Sequence, residues 1–335
     1  MQLGFPLQTM AVFVIFVAIA FCIDFFAHSK DKEISLINAV IWSIFWILIS
    51  VAFGAYIWYA HGSEMGSLFF SGYVLEKALS VDNLFVMMAI FAWFKIPNIY
   101  RHRILYFGIL GAIVFRLIFV ALGTSLLLIS PLVEGIFALI IIYTAFMMLK
   151  NNDDDGEIED YSNHLAYRLV YRFFPVFPKI VGHNLFISPK IAKEQMQKDK
   201  SINFNLKNAA IIATPLFLCL CVIELSDVMF AFDSVPAVIA ISHEPLIIYS
   251  AMIFAILGLR TLYFVLEALK KYLVHLEKAV IILLFFIGAK LLLNVSNHIF
   301  SHGFQISATA SLCVILGILF CGIVASFIFP SKAES

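Results

Sequence analysis

Five carboxylates interrupt stretches of sequence that are otherwise apolar: Glu76 and Asp82 in one, and Glu224, Asp227 and Asp233 in another. A charged side chain in mid-bilayer costs at least about 2.5 kcal/mol on insertion scales, so acids kept there need an ion or a counter-charge to offset them. Their spacing is matched. Glu76 is followed by five residues, then Asp82 and Asn83; Asp227 is followed by five residues, then Asp233 and Ser234. Hard oxygen donors without converging His or Cys suit Mg, Ca or Mn rather than Zn or Cu. The candidate metal ligands are therefore Glu76, Asp82, Glu224, Asp227 and Asp233, with Asn83 and Ser234 offering neutral oxygens or else bonding the backbone. The competing reading is ionic: Lys77, Arg116, Arg260 and Lys290 also fall in apolar stretches and can hold the acids in buried pairs. Repetition of the acids at one spacing favours the metal.

Helix geometry limits how these acids share an ion. Glu224 and Asp227, three apart, lie on one face, whereas residues six apart are about 120° and about 9 Å apart on a regular helix. Two arrangements remain. Either the helices unwind near Asp82 and Asp233, or Asp82 meets Asp233 from different segments while Glu76, Glu224 and Asp227 serve as approach sites or proton acceptors. Carboxylates that take up protons when no ion is bound would exchange them for the cation, making the protein a proton antiporter.

The elements that position these residues are set by composition. Of 335 residues, 62% are hydrophobic and 13% charged, with mean hydropathy +0.99, far from the roughly 25% charged residues of a soluble domain. Net charge +0 gives no reason to expect nucleic acid. A bilayer core needs about 20 apolar helical residues per crossing. Runs of that kind near 7–27, 36–60, 68–93, 106–129, 131–149, 208–242, 245–266, 279–297 and 305–329 predict an all-α polytopic membrane protein of about nine spans. Lys and Arg follow spans one, three, five, seven and nine, and the N-terminus and other loops have none. By the positive-inside rule the N-terminus is external and the C-terminus cytoplasmic. Segment 208–242 is too long for one straight crossing, and Pro236 suggests that it is broken, tilted or partly unwound. The hydrophilic stretch after span five, with its acidic run Asp153 to Asp160, reads as a partly helical cytoplasmic excursion. The five cysteines read as free thiols, and His61, His243, His298 and His302 as loop residues.

The two acid-bearing stretches head two longer units. Arg116 answers Arg260, and Tyr143 answers Ile287 at the same distance downstream in each unit. An odd number of crossings separates the units, so the second runs through the membrane inverted, a recurrent transporter design with its site near the midplane. The expected organisation is 1–67, two leading helices; 68–150, the first three-helix unit; 151–207, the excursion; 208–297, the inverted unit; and 298–335, a final helix and tail.

The runs Gly72-Tyr73-Val74-Leu75-Glu76-Lys77-Ala78-Leu79-Ser80-Val81-Asp82-Asn83, Glu224-Leu225-Ser226-Asp227-Val228-Met229-Phe230-Ala231-Phe232-Asp233-Ser234-Val235-Pro236 and Phe254-Ala255-Ile256-Leu257-Gly258-Leu259-Arg260 resemble the TerC/Alx family of integral membrane proteins. The two leading spans with Ile23-Asp24 resemble its longer, Alx-like branch. The resemblance implies a bacterial inner-membrane protein that exports manganese, with the family's acids at Glu76, Asp82, Glu224, Asp227 and Asp233. It also carries an association with tellurite resistance. The expected partners are a divalent cation, protons and lipid, with no cofactor and no catalytic residue. An intramembrane aspartyl protease is disfavoured, because Val81 precedes Asp82 and Phe232 precedes Asp233. A metal sensor or scaffold that binds without transporting remains the rival.

Overall fold

Lipid offers no partner to backbone N–H and C=O groups, so a chain this apolar must satisfy them within its own segments, which a helix does. The computed structural model describes residues 5–27, 35–127, 132–151, 165–199, 202, 204, 211–269, 275–300 and 306–328. They form helices α1 (Leu7–Ala27), α2 (Leu36–Trp93), α3 (Asn98–Leu127), α4 (Leu132–Asn151), α5 (Leu165–Phe173), α6 (Pro189–Lys198), α7 (Pro215–Ile239), α8 (Pro245–Ile256), α9 (Leu259–Leu269), α10 (Leu276–Phe300) and α11 (Ala308–Ile328). Strands β1 (Phe186–Ile187) and β2 (Ile212–Ala213) make a small antiparallel ribbon.

The all-α polytopic class holds, but the count differs from nine. Among the described residues five helices are long and apolar enough to cross a membrane, six when the bent pair α8 and α9 is taken as one span. Part of the difference lies in α2. Its 58 residues include a non-helical position at Gly62 (φ 89°, ψ 171°), between the runs expected near 36–60 and 68–93. Leu7–Ala20 and Gly135–Lys150 are shorter apolar helical stretches, within the runs expected near 7–27 and 131–149.

Segment 208–242 is not broken where Pro236 suggests. α7 is helical across Pro236, and the Ala240 N–H reaches the Pro236 carbonyl at 2.9 Å. The surplus length lies outside the helix, because Ile212 and Ala213 pair with Ile187 and Phe186 and Thr214 is the N-cap. Pro215 opens the helix, where its missing N–H costs nothing. The break falls instead between α8 and α9, which are bent by 53°. Leu257 leaves the helix with ψ 130°, and Gly258 sits at φ +77°, a conformation open to glycine. A Cβ there would also lie 2.6 Å from the Trp46 ring, so close packing and backbone both require the glycine.

α3 lies along α7, α2 along α8 and α9, and α4 along α10, while α11 rests on α2 and α10. An aromatic cluster fixes the leading part of α2 to α8, with Phe53 stacked on Phe254 at 4.7 Å between centroids. Ile37, Val114, Ile118, Leu122, Phe320 and Phe327 point outward, as lipid-facing side chains can. His61 is not isolated: its Nε2 meets the Thr9 hydroxyl at 2.8 Å. The excursion is partly helical, as expected, through α5 and α6. The acidic run at 153–160, His298 and His302 lie outside the described residues or side chains, as do the side chains of Asp24 and Glu134.

Candidate functional site

α2 is regular from Gly62 to Trp93 and α7 from Pro215 to Ile239, so neither helix unwinds at Asp82 or Asp233. That removes the first of the two arrangements. The backbones of both aspartates are helical, and their side chains lie outside the described part of the structure.

The described acids converge on Arg116. It projects from α3 and is 2% exposed, while Glu76 on α2 is 0% exposed and Asp227 on α7 is 3% exposed. The guanidinium forms an ion pair with Glu76 through Nη1 and places Nη2 3.6 Å from Asp227 Oδ1. One turn beyond Glu76, the Ser80 hydroxyl donates to Glu76 Oε1 at 3.4 Å. Buried charges persist only when paired, and here one cation serves two anions contributed by different helices. Glu76 Oε2 and Asp227 Oδ2 remain buried without a hydrogen-bond partner.

Glu224 lies on the Asp227 face of α7 and turns toward α3. Its Oε2 is also buried and unpartnered, and it occupies the space that a side chain at Gly111 would take: a Cβ built there falls on the carboxylate. Gly111 thus makes room for the acid. Asn83 Nδ2 and Ser234 Oγ are buried without hydrogen-bond partners as well. Among the described residues, no three His, Cys, Asp or Glu side chains converge closely enough to hold one metal ion. The structure brings Glu76 and Asp227 together through Arg116, and does not assemble a closed cage.

The other membrane cations do different work. The Lys77 ammonium donates to the carbonyls of Ala255 (2.9 Å) and Leu257 (3.1 Å), at the C-terminal end of α8 where the break leaves acceptors unserved. Lys290 reaches the Ser311 hydroxyl at 3.4 Å, and Arg260 lies over the Tyr106 ring at 5.9 Å from its centroid. The ionic reading therefore holds for Glu76 and Asp227 with Arg116, and Lys77 and Lys290 have other partners. Sequence reasoning missed Gly111 and the role of Lys77. The run Gly108-Ile109-Leu110-Gly111 carried a signal for the first, since small residues on a spanning helix mark close approach.

A family model described as "Integral membrane protein TerC family" matches residues 61–334. Among curated proteins, the chain is 61% identical over 337 residues to "Tellurium resistance protein TerC" of Serratia marcescens, covering 100% of this chain and 97% of that one. It is 60% identical to the protein of the same name from an Alcaligenes species, with the same coverage. "Thylakoid membrane protein TERC, chloroplastic" of Arabidopsis thaliana is 36% identical over 277 residues, 83% of this chain and 65% of that protein. No solved structure matches the chain.

Proposed function

The chain belongs to the TerC family of integral membrane proteins, and from that premise we propose that it exports divalent metal cations, with manganese as its ion and protons as the exchanged species. The observation that carries this reading is the imbalance of buried charge between α2, α3 and α7. Glu76, Asp227 and Glu224 each bury a carboxylate oxygen with no hydrogen-bond partner, and Arg116 is the cation between two of them. A hard dication that sheds its water needs such oxygens as replacement ligands.

On this reading Arg116 keeps the place of the ion. With the guanidinium engaged, Glu76 and Asp227 stay neutralised; when a dication arrives, the guanidinium withdraws and the carboxylates turn to the metal. Asp82 and Asp233, on the same two helices one to two turns further along, complete the ligand set with Asn83 and Ser234. α3 on α7, answered by α2 on α8 and α9, with α4 on α10, is the packing that two inverted units 68–150 and 208–297 would produce by exchange. It supports a pathway at their boundary. The protein would lie in a bacterial inner membrane with its N-terminus outside.

Uptake of Mn, Ca, Mg and Zn into proteoliposomes, with and without a pH gradient, tests the proposal. Manganese flux lost in D82N/D233N supports it; no flux of any ion, with binding retained, sinks it. A second reading draws on the names of the 60–61% identical relatives: a sensor or scaffold in tellurite stress that binds metal without moving it. Tellurite tolerance conferred equally by the native chain and by D82N/D233N would favour that reading.

A further inference from the structure

α5 follows the acidic run and belongs to none of the spans, yet it has three distinct sides. Ala166 and Val170 are buried against the start of α7, among Leu216, Leu218 and Cys219. A second stripe, Leu165, Leu169 and Phe173, is spaced four residues apart and stays 59%, 42% and 69% exposed. Beside it runs a third stripe, Arg168 and Arg172, also four apart and exposed. Large apolar side chains in line along one helix face are costly in water, and arginines alongside them are the usual composition of a helix lying in the membrane interface.

The depth of α5 agrees. It packs on the first turns of a spanning helix, and its Tyr167 meets Trp93, the last residue of α2, at 5.8 Å between ring centroids. Phe186 and Phe217 lie 4.2 Å apart nearby, and Phe174 contacts both. Aromatic residues grouped at the ends of spanning helices mark the level of the headgroups. From this placement we propose that α5 lies in the membrane surface, inserting Leu165, Leu169 and Phe173 among the acyl chains while Arg168 and Arg172 bind the phosphates of anionic phospholipids. Tyr171 adds a donor on the same side; burial, then its hydrogen bond and proximity to Tyr167, push its hydroxyl up to about 12, so it remains neutral and able to donate. The occupant is lipid rather than a soluble protein because the exposed stripe continues from a helix that itself crosses the bilayer.

The test uses the full chain reconstituted in nanodiscs of phosphatidylcholine with phosphatidylglycerol. Each arginine near an anionic surface is worth roughly a fivefold preference. R168Q/R172Q is therefore expected to lower the ratio of retained phosphatidylglycerol to phosphatidylcholine, read by native mass spectrometry, by at least about fivefold, with R168K/R172K close to the native ratio. Emission added by L169W should be quenched by bromine on the acyl chains and resist aqueous iodide. An unchanged lipid ratio in R168Q/R172Q overturns the proposal. So does iodide quenching of L169W, which would place the stripe in water or against a soluble partner, and so does resistance to both quenchers with a mass that doubles with concentration, which would place a second copy there.

Discussion

Removing Arg116 should make the protein depend on metal for its stability. In R116Q, Glu76 stays 0% exposed and loses its counter-charge, and Asp227 loses the guanidinium 3.6 Å away. Breaking a buried pair by deleting one partner costs about 3 to 5 kcal/mol, because the surviving charge is left uncompensated. That approaches the whole stability of a typical domain, about 5 to 15 kcal/mol. A dication that binds the freed carboxylates returns about 2.7 kcal/mol at one hundred times its dissociation constant. Thermal unfolding in detergent, with and without manganese, reads the effect. R116Q should unfold well below the native protein without the ion and recover a large part of the loss with it, while the native protein shifts little. E76Q/R116Q removes one acid with the arginine, so it should be more stable than R116Q and respond less to manganese. The reasoning fails if R116Q is equally unstable with and without every divalent ion, or if E76Q/R116Q is no better than R116Q. Either result would mean that Arg116 packs the helices and holds no ion's place.

G111A places a methyl group on the Glu224 carboxylate; a cost of about 1 to 3 kcal/mol is expected from overpacking, and manganese flux should fall to the level of E224Q in the same proteoliposomes. K77M leaves the Ala255 and Leu257 carbonyls without their donor; hydrogen bonds from a charged group contribute about 1.5 to 3 kcal/mol each, so the unfolding temperature should drop, with K77R recovering part of it. G258A forces a side chain into φ +77° against Trp46 and should destabilise by about 1 to 3 kcal/mol, measurable by thermal unfolding; native stability would show that the bend between α8 and α9 is not fixed by this residue.

What could be read from the sequence, and what could not, divides by physical cause. Hydropathy runs located the helices because lipid demands them, and the gap between 36–60 and 68–93 contains the non-helical Gly62. Hydropathy does not separate a helix from an apolar strand, and so Ile212 and Ala213, whose strand partners Ile187 and Phe186 lie across the excursion, were counted into a span. Pro236 was the visible breaker, yet a helix near its C-terminal end tolerates it, while the true break at Gly258 is hidden in the apolar run Ile256-Leu257-Gly258-Leu259. The acids themselves were legible by residue type. Their partners were not: Glu76 and Lys77 are consecutive on a helix and point about 100° apart, so the nearest cation in sequence cannot serve the acid, and Lys77 turns to α8 instead.

Arg116 is the instructive case. Within the repeat it answers Arg260, and spacing alone would pair each arginine with the acids of its own unit. The structure has it joining Glu76 of the first unit to Asp227 of the second, a contact that no local periodicity encodes. Two carboxylates held by one guanidinium are close to electrically balanced only while both helices stay in place, so any rocking of α7 against α2 must break one pair and expose an uncompensated charge. A cation that enters at that moment lowers the cost of the movement, and a protein that moves in this way only with an ion aboard couples movement to cargo. The charge balance between the units, more than a preformed cage of ligands, is then what links binding to motion.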